Sequence, residues 1–439
     1  MSASVGRRVP PADFFSEVEF AWQETVAPPP MDGGSVVSAA ESSPSPVQRR
    51  RRPPPLTLVR RWATVLLLVA GAIILIGRQF TGPNAGWATL PLPVPMQGQN
   101  GDKTGAGSGS TAALDATTIS PAGAAASSGL SAAVHAGTVR PSEAAAADKV
   151  ISRAEAKLAD DGTASGGDVA TALAEVAAQA SAYTSPRVRV LFSQLAVNLD
   201  HRPPVSATPD VTGPDGTVYR YMVGHGYVFH PLADFGRLNR YVAQTDNQRA
   251  RQLADALLAR AVKQRQALVW EYYFPFGGGP SRWTSGFAQA VAADALYRAG
   301  LLLHDDRLKT AAHAAFAGLA TGLTRPVEGG RWVVEYSNSD MLVLNAHLES
   351  LLALQRYAQG SGDPDVVALA QQFNHAAHAL LPSFDTGCWS RYSLNGQPAS
   401  AGYHSYHVQL LRRLYATTHD PLWQRTAARW DGYQRDPSC

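Results

Sequence analysis

The chain has 439 residues, 45% of them hydrophobic, a formal net charge of +3 and two cysteines. Much of the positive excess sits in one arginine cluster near residue 50, so no nucleic-acid footprint falls on the rest. Cys388 and Cys439 fit no metal spacing; in an exported domain they would pair, and two unrelated thiols is the equal alternative.

Residues 1–55 read as a disordered cytoplasmic tail. Pro and Ser surround a single acidic-aromatic island, PADFFSEVEFAW, which reads first as solvated tail and second as a partner-binding segment. Then comes RRRRPPPLTLVRRWATVLLLVAGAIILIGRQF. Its uncharged run Trp62–Gly77 would span about 24 Å as a helix, short against a hydrocarbon core of roughly 30 Å. Leu56–Val59 extend the run if Arg60 and Arg61 snorkel to the headgroups. The segment before it is too long for a cleaved signal peptide. Arg49–Arg52, Arg60 and Arg61 precede the run, so the positive-inside bias keeps the N-terminus cytoplasmic. Residues 56–78 are therefore expected to be a signal anchor in the lipid bilayer. The protein would be single-pass in the cell membrane with its C-terminal domain extracytoplasmic. Residues 79–145, dominated by Gly, Ser, Ala and Pro, read as a flexible linker.

From 146 the pattern turns helical. DKVISRAEAKLADDG and GDVATALAEVAAQASAYT repeat apolar residues every three or four positions. Tyr219–Val223 reads as a short strand after the turn Pro214-Asp215-Gly216. HPLADFGRLNRYVAQ and NQRARQLADALLARAVKQRQ are two further helices. Ser281–Gly300 follows, with Thr284 or Ser285 as N-cap and Gly300 as C-cap. Arg307–Gly322, Asp340–Gln359, Val366–Leu380, His404–Thr418 and Leu422–Tyr433 complete the set. Short turns such as LLHDD and TTHDP alternate with long loops rich in Trp, Tyr, Arg and Gly. That alternation predicts an all-α fold for 146–439, an α/α barrel or toroid of helix hairpins with short β elements, against the alternative of an irregular bundle. Its long loops would gather at one end, where a ligand site is expected.

Four loop segments carry the chemistry: GHGYVFHP, WEYYFPFGGGPSRWTSG, GRWVVEYSN and FDTGCWSRYSLNGQPASAGYHSYH. Trp270, Trp283, Trp332 and Trp389 in them suit stacking against sugar rings, with core packing as the even alternative. Glu335-Tyr336 puts a carboxylate and a phenol side by side before a helix, either as an acid/base pair or with Glu335 binding nearby N–H groups. Tyr392 and Tyr403 stand in the other long loop. A phenolate there would need a neighbouring cation or donor, for which Arg391, His404 and His407 are at hand. His404 and His407 have the spacing H-x-x-H with no following carboxylate, so no metal is expected. Gly277-Gly278-Gly279 lacks the Lys-Ser/Thr of a phosphate loop, and no Gly-x-Ser-x-Gly elbow occurs.

From Tyr219 to Tyr433 these residues resemble the C-terminal domain of D-glucuronyl C5-epimerases. The resemblance rests on GYVFHP, PSRWTSGFAQA, the Glu-Tyr of VVEYSN with LVLNAHLESL, FDTGCWSRYSL, and GYHSYHVQLL with RTAARWDGY. It implies an α/α-barrel domain and conversion of glucuronate to iduronate within a polysaccharide. It also places Tyr227, Glu335, Tyr336, Tyr392 and Tyr403 where the family has active-site groups. Trp283, Arg391, His404 and His407 are the further substrate-binding candidates. Three departures stand out. The β-rich insertion of animal members is absent between Pro231 and Trp270. Ser393-Leu394-Asn395 follow Tyr392 where the family has an arginine and a histidine. Small residues, Ser400 among them, precede Tyr403 where the family has an arginine.

Proton removal at C5, α to a carboxylate, needs a base on one face and an acid on the other, and no cofactor. Glu335 and Tyr403 (or Tyr392) are expected in the opposed roles, with Tyr336 and Arg391 near the substrate carboxylate. The expected function is a membrane-anchored uronate C5-epimerase acting on an extracellular polysaccharide. A polysaccharide lyase on the same scaffold and a non-catalytic carbohydrate-binding domain are the alternatives. The sequence leaves monomer and homodimer both open.

Overall fold

The computed structural model describes residues 119–160, 164–204, 210–276 and 278–436. The expected tail, the expected anchor at 56–78 and the linker as far as 118 lie outside the described residues. Among the described residues, no helix is long and apolar enough to cross a membrane.

The end of the expected linker is helical, not flexible. Helix α1 spans Pro121–His135 and α2 spans Pro141–Asp160. Ser120 caps α1 by accepting the Gly123 N–H at 3.1 Å, and Pro121 stands in the first turn, where its missing N–H costs nothing. The alanines that made this stretch look like low-complexity sequence are the strongest helix formers, and Ala126, Leu130 and Ala133 give it a buried stripe. Helices α3 (Ala164–Ala178) and α4 (Ser185–Asp200) pack with them as a bundle. The sequence reading missed α4. Val188, Val190, Leu191, Phe192 and Leu195 are buried on several of its faces, which hides the one-sided periodicity of an amphipathic helix.

A three-stranded antiparallel meander follows: β1 (Asp210–Thr212), β2 (Val218–Met222) and β3 (Gly226–Phe229). β3 packs on α3 and α4, and β2 on the next helix, so the meander joins the bundle to the rest. The remainder is a series of helix hairpins: α5 (Pro231–Ala243) with α6 (Asn247–Leu258), α7 (Gly286–Leu302) with α8 (Asp306–Ala317), α9 (Leu344–Ser361) with α10 (Pro364–Leu380), and α11 (Ala401–Thr418) with α12 (Pro421–Tyr433). Each pair is joined by a tight turn whose aspartate caps the second helix: Asp246, Asp305, Asp363 and Asp420. Ser285 caps α7, and that helix runs past Gly300, whose missing side chain lets Lys309 and the Asp305 carbonyl approach.

The first helices of the hairpins pack in a row, α5 on α7, α7 on α9 and α9 on α11, each backed by its partner. Wedged between neighbours, α7 buries a run from Gly286 to Leu296, and its many alanines allow that close approach. Among the described residues the row does not close into a barrel. Four hairpins make the row, and β2 covers α5. The expected alternation of loops is present. Every long connection (259–285, 318–343 and 381–400) leads into the N-terminus of a row helix and carries short strands, namely β4 (Val262–Gln264), β5 (Ala267–Val269), β6 (Glu271–Tyr272), β7 (Trp283–Thr284), β8 (Thr324–Val327) and β9 (Gly330–Val333), or isolated bridges.

Candidate active site

The long connections place Glu335, Tyr336, Tyr392 and Tyr403 together at the N-terminal end of the row. Val334 donates its N–H to the Leu323 carbonyl at 2.9 Å and accepts the Gly286 N–H at 2.8 Å, which delivers Glu335 and Tyr336 to the mouth of α7. Gly286 is required there, since a Cβ would lie 2.5 and 2.6 Å from the Leu323 and Val334 carbonyl oxygens. The Tyr392 carbonyl accepts the Leu344 N–H at 3.0 Å, tying it to the start of α9. Tyr403 sits in the first turn of α11, its N–H bonded to the capping Ser400.

The Tyr336 and Tyr392 hydroxyls are 3.5 Å apart, and the Tyr392 and Tyr403 rings meet edge-on at 4.9 Å. Phe276 stacks on Tyr336 at 4.1 Å, and Trp283 touches it at 5.5 Å. Glu335 is 2% exposed and its Oε2 has no hydrogen-bond partner. Burial pushes its carboxyl up to about 8, with a hydrogen bond from Tyr336 pulling the other way. Burial also holds the Tyr336 and Tyr392 phenols well above their ordinary range, and the nearby Glu335 charge adds to this. Tyr403 is half-buried and forms the solvent side of the group.

The expected cations are not there to favour a phenolate. Arg391 turns away and donates from Nη1 to the Gly396 carbonyl at 2.8 Å, bracing its own loop. Adjacent residues on extended chain face opposite ways, so placing Tyr392 inward sends Arg391 outward. His404 and His407 are both fully buried, and desolvation lowers their basicity, His407 to about 3. They are framework, not ligand contacts. His404 Nε2 lies 2.9 Å from the Trp430 carbonyl and must donate to it, so its Nδ1 accepts the Ser390 N–H at 3.0 Å. The Ser390 Oγ lies 2.9 Å from the same Nδ1 and 2.8 Å from His407 Nδ1. The consistent chain runs from His407 Nδ1–H to Ser390 Oγ–H to His404, leaving His407 Nε2 as a bare, unpartnered acceptor.

Three of the four tryptophans are core, not exposed sugar platforms, while Trp389 stays partly exposed. Trp270, Trp283 and Trp332 are at most 5% exposed, and their indole N–H groups donate to the Leu257, Phe274 and Val343 carbonyls. Trp389 donates to the Ala399 carbonyl and stacks on His404 at 3.7 Å. Tyr227 is not brought to the group: its hydroxyl donates to the Arg202 carbonyl, and its ring meets His201 and Tyr221.

Sequence reasoning missed Tyr272, which stacks on Trp283 at 4.1 Å, accepts the Leu232 N–H at 3.3 Å and feels the Glu335 charge. The spacing Tyr272, Phe274, Phe276 was the available signal, a period of two that aims all three rings inward. Cys388 is disulfide-bonded, and the chain's other cysteine, Cys439, lies outside the described residues. Among the described residues no cluster has the make-up of a metal site.

Residues 264–432 match the family described as D-glucuronyl C5-epimerase C-terminus. Over that segment the chain is similar to this family. The matched segment contains Glu335, Tyr336, Tyr392 and Tyr403, whereas Tyr227 precedes it. Two relatives match part of the chain. The uncharacterized protein MJ1128 of Methanocaldococcus jannaschii is 26% identical over 180 residues, 37% of this chain and 57% of that protein. The D-glucuronyl C5-epimerase of Caenorhabditis elegans is 26% identical over 234 residues, 48% of this chain and 35% of that protein. The match thus spans little more than half of one relative's length and about a third of the other's.

Proposed function

We propose that the protein is a uronate C5-epimerase acting on a polysaccharide outside the cytoplasm, and that Glu335 is its proton-transferring carboxylate. The observation that carries this is the unpartnered Oε2 of a buried carboxylate, raised to about 8, beside a chain of phenols. A carbon acid α to a carboxylate is weak, and a desolvated carboxylate is a far stronger base toward it than a solvated one. Ionised Glu335 takes the C5 proton, and the C–H electron pair moves into the adjoining carboxylate. The neutral phenols of Tyr336 and Tyr392 donate hydrogen bonds to the enolate oxygens that form. Tyr403, at the open side, returns a proton to the other face of C5 and is reprotonated from solvent, while Glu335 gives the abstracted proton up to solvent and is ready for the next turnover.

The phenols act as acids in this scheme, because burial favours their protonated forms. Residues 56–78 anchor the chain in the bilayer with the epimerase-like domain outside. The disulfide at Cys388 supports that topology, since such bonds persist in oxidising compartments.

The test is incubation with a glucuronate polymer in deuterated water. Deuterium at C5 by NMR, without the ultraviolet band of unsaturated uronate, is expected. The band would establish a lyase instead, and binding with neither would establish a carbohydrate-binding domain.

A further inference from the structure

Arg282 precedes Trp283 at the end of the loop whose Phe276 covers Tyr336. β6 and β7 pair antiparallel, Glu271 with Thr284 and Tyr272 with Trp283. Continuing that register sets Arg282 opposite Tyr273, on the face of the ribbon that carries Glu271 and away from the Tyr272–Trp283 stack.

On that face the Glu271 carboxylate is already committed. Glu271 Oε2 accepts from Arg187 Nε at 2.9 Å and from the Tyr273 hydroxyl at 2.6 Å, and its Oε1 accepts from Arg187 Nη2 at 3.0 Å. Arg282 is left without a counter-ion. Its Nη1 is buried with no hydrogen-bond partner, and among the described residues it makes no hydrogen bond or ion pair. A guanidinium N–H removed from water without an acceptor is a cost to the folded state, and a planar carboxylate is the ligand that matches its fork.

We propose that Arg282 is an anchoring subsite for a carboxylate of the polymer, separate from the sugar at Glu335. This rests on the polyuronate reading above. The anchored carboxylate belongs to a neighbouring uronate, because Trp283 and Tyr272 stand between Arg282 and the tyrosine group. Arg282 thereby selects an acidic polymer over a neutral one and takes no part in proton transfer.

Affinity electrophoresis of the full chain in detergent, through gels holding polyglucuronate or a neutral glucan, tests this without requiring turnover. The wild type is expected to be retarded by polyglucuronate alone. Arg282→Ala should weaken that retardation about tenfold, the loss of one charge-assisted contact, and lower the salt dependence by about one counter-ion. Arg282→Lys should fall between the two, and Arg265→Ala, at an exposed arginine in the β4–β5 turn, should change nothing. Equal retardation of Arg282→Ala and wild type, or no retardation of the wild type, would overturn the subsite. Arg282-dependent retardation by a chain that exchanges no C5 proton would keep the subsite and sink the epimerase reading.

Discussion

The Tyr336 hydroxyl lies 3.5 Å from the Tyr392 hydroxyl although the two residues come from loops that enter different helices. The pair leaves no room for a sugar ring between them, so they do not form opposed walls of a cleft. They form one patch of donors with Glu335 at its inner edge and Tyr403 at its outer edge. Tyr336→Phe and Tyr392→Phe should each lower kcat by about a hundredfold, in the range typical of a positioned proton donor. Because the hydroxyls share one enolate, the double variant should lose much less than the product of the two. Steady-state kinetics on the single and double variants gives the coupling directly.

The raised carboxyl of Glu335 sets a pH dependence. Its ionised form is the base, so kcat/KM should climb with pH and level off above about 8. The same shift has the opposite consequence for stability. Between the ordinary carboxyl range and 8 the folded state holds a proton that the unfolded state has lost, so stability falls as pH rises through that window. Glu349, buried and pushed up to about 7, acts in the same direction. Glu335→Gln should therefore abolish activity while flattening the alkaline decline in melting temperature.

The acid limb belongs to the histidines. His230, His347 and His407 are buried and lowered to about 3, chiefly by desolvation. The unfolded chain binds their protons below 6.5 and the folded chain does not, so stability is present above 6.5 and is lost as pH falls toward 3. Nitrogen NMR at neutral pH should find His404 protonated on Nε2 and His407 on Nδ1.

Ser390 links those two imidazoles and lies two residues from Tyr392. Ser390→Ala leaves the buried His407 Nδ1–H donor facing a methyl group, while His404 Nδ1 keeps the backbone N–H of residue 390, and should cost about 1–3 kcal/mol of stability. Chemical denaturation measures it. The His407 tautomer should become mixed in this variant.

How much of this was legible in the sequence divides along physical lines. Glu335, Tyr336, Tyr392 and Tyr403 could be picked out because polar aromatic groups in long loops before helices have no core role to satisfy locally. The loop alternation likewise gave the end of the fold where they meet. Arg391 misled because its direction depends on the strand-like backbone around Tyr392, which composition does not reveal. Of the two even readings of the tryptophans, core packing holds for Trp270, Trp283 and Trp332, because the loops fold back over the helix ends. The alanines of α1 looked like linker because small residues carry little hydrophobic contrast. Ser390 and Arg282 acquire meaning only from contacts, or from their lack.

The central claim is that Glu335 moves the C5 proton, and label exchange tests it most directly. A glucuronate polymer deuterated at C5 is incubated in ordinary water with wild type and with Glu335→Gln, and release of deuterium to solvent is followed. Wild type should release label steadily, and Glu335→Gln, folded as judged by its melting temperature, should release essentially none. Release at the wild-type rate by the glutamine variant would contradict the account.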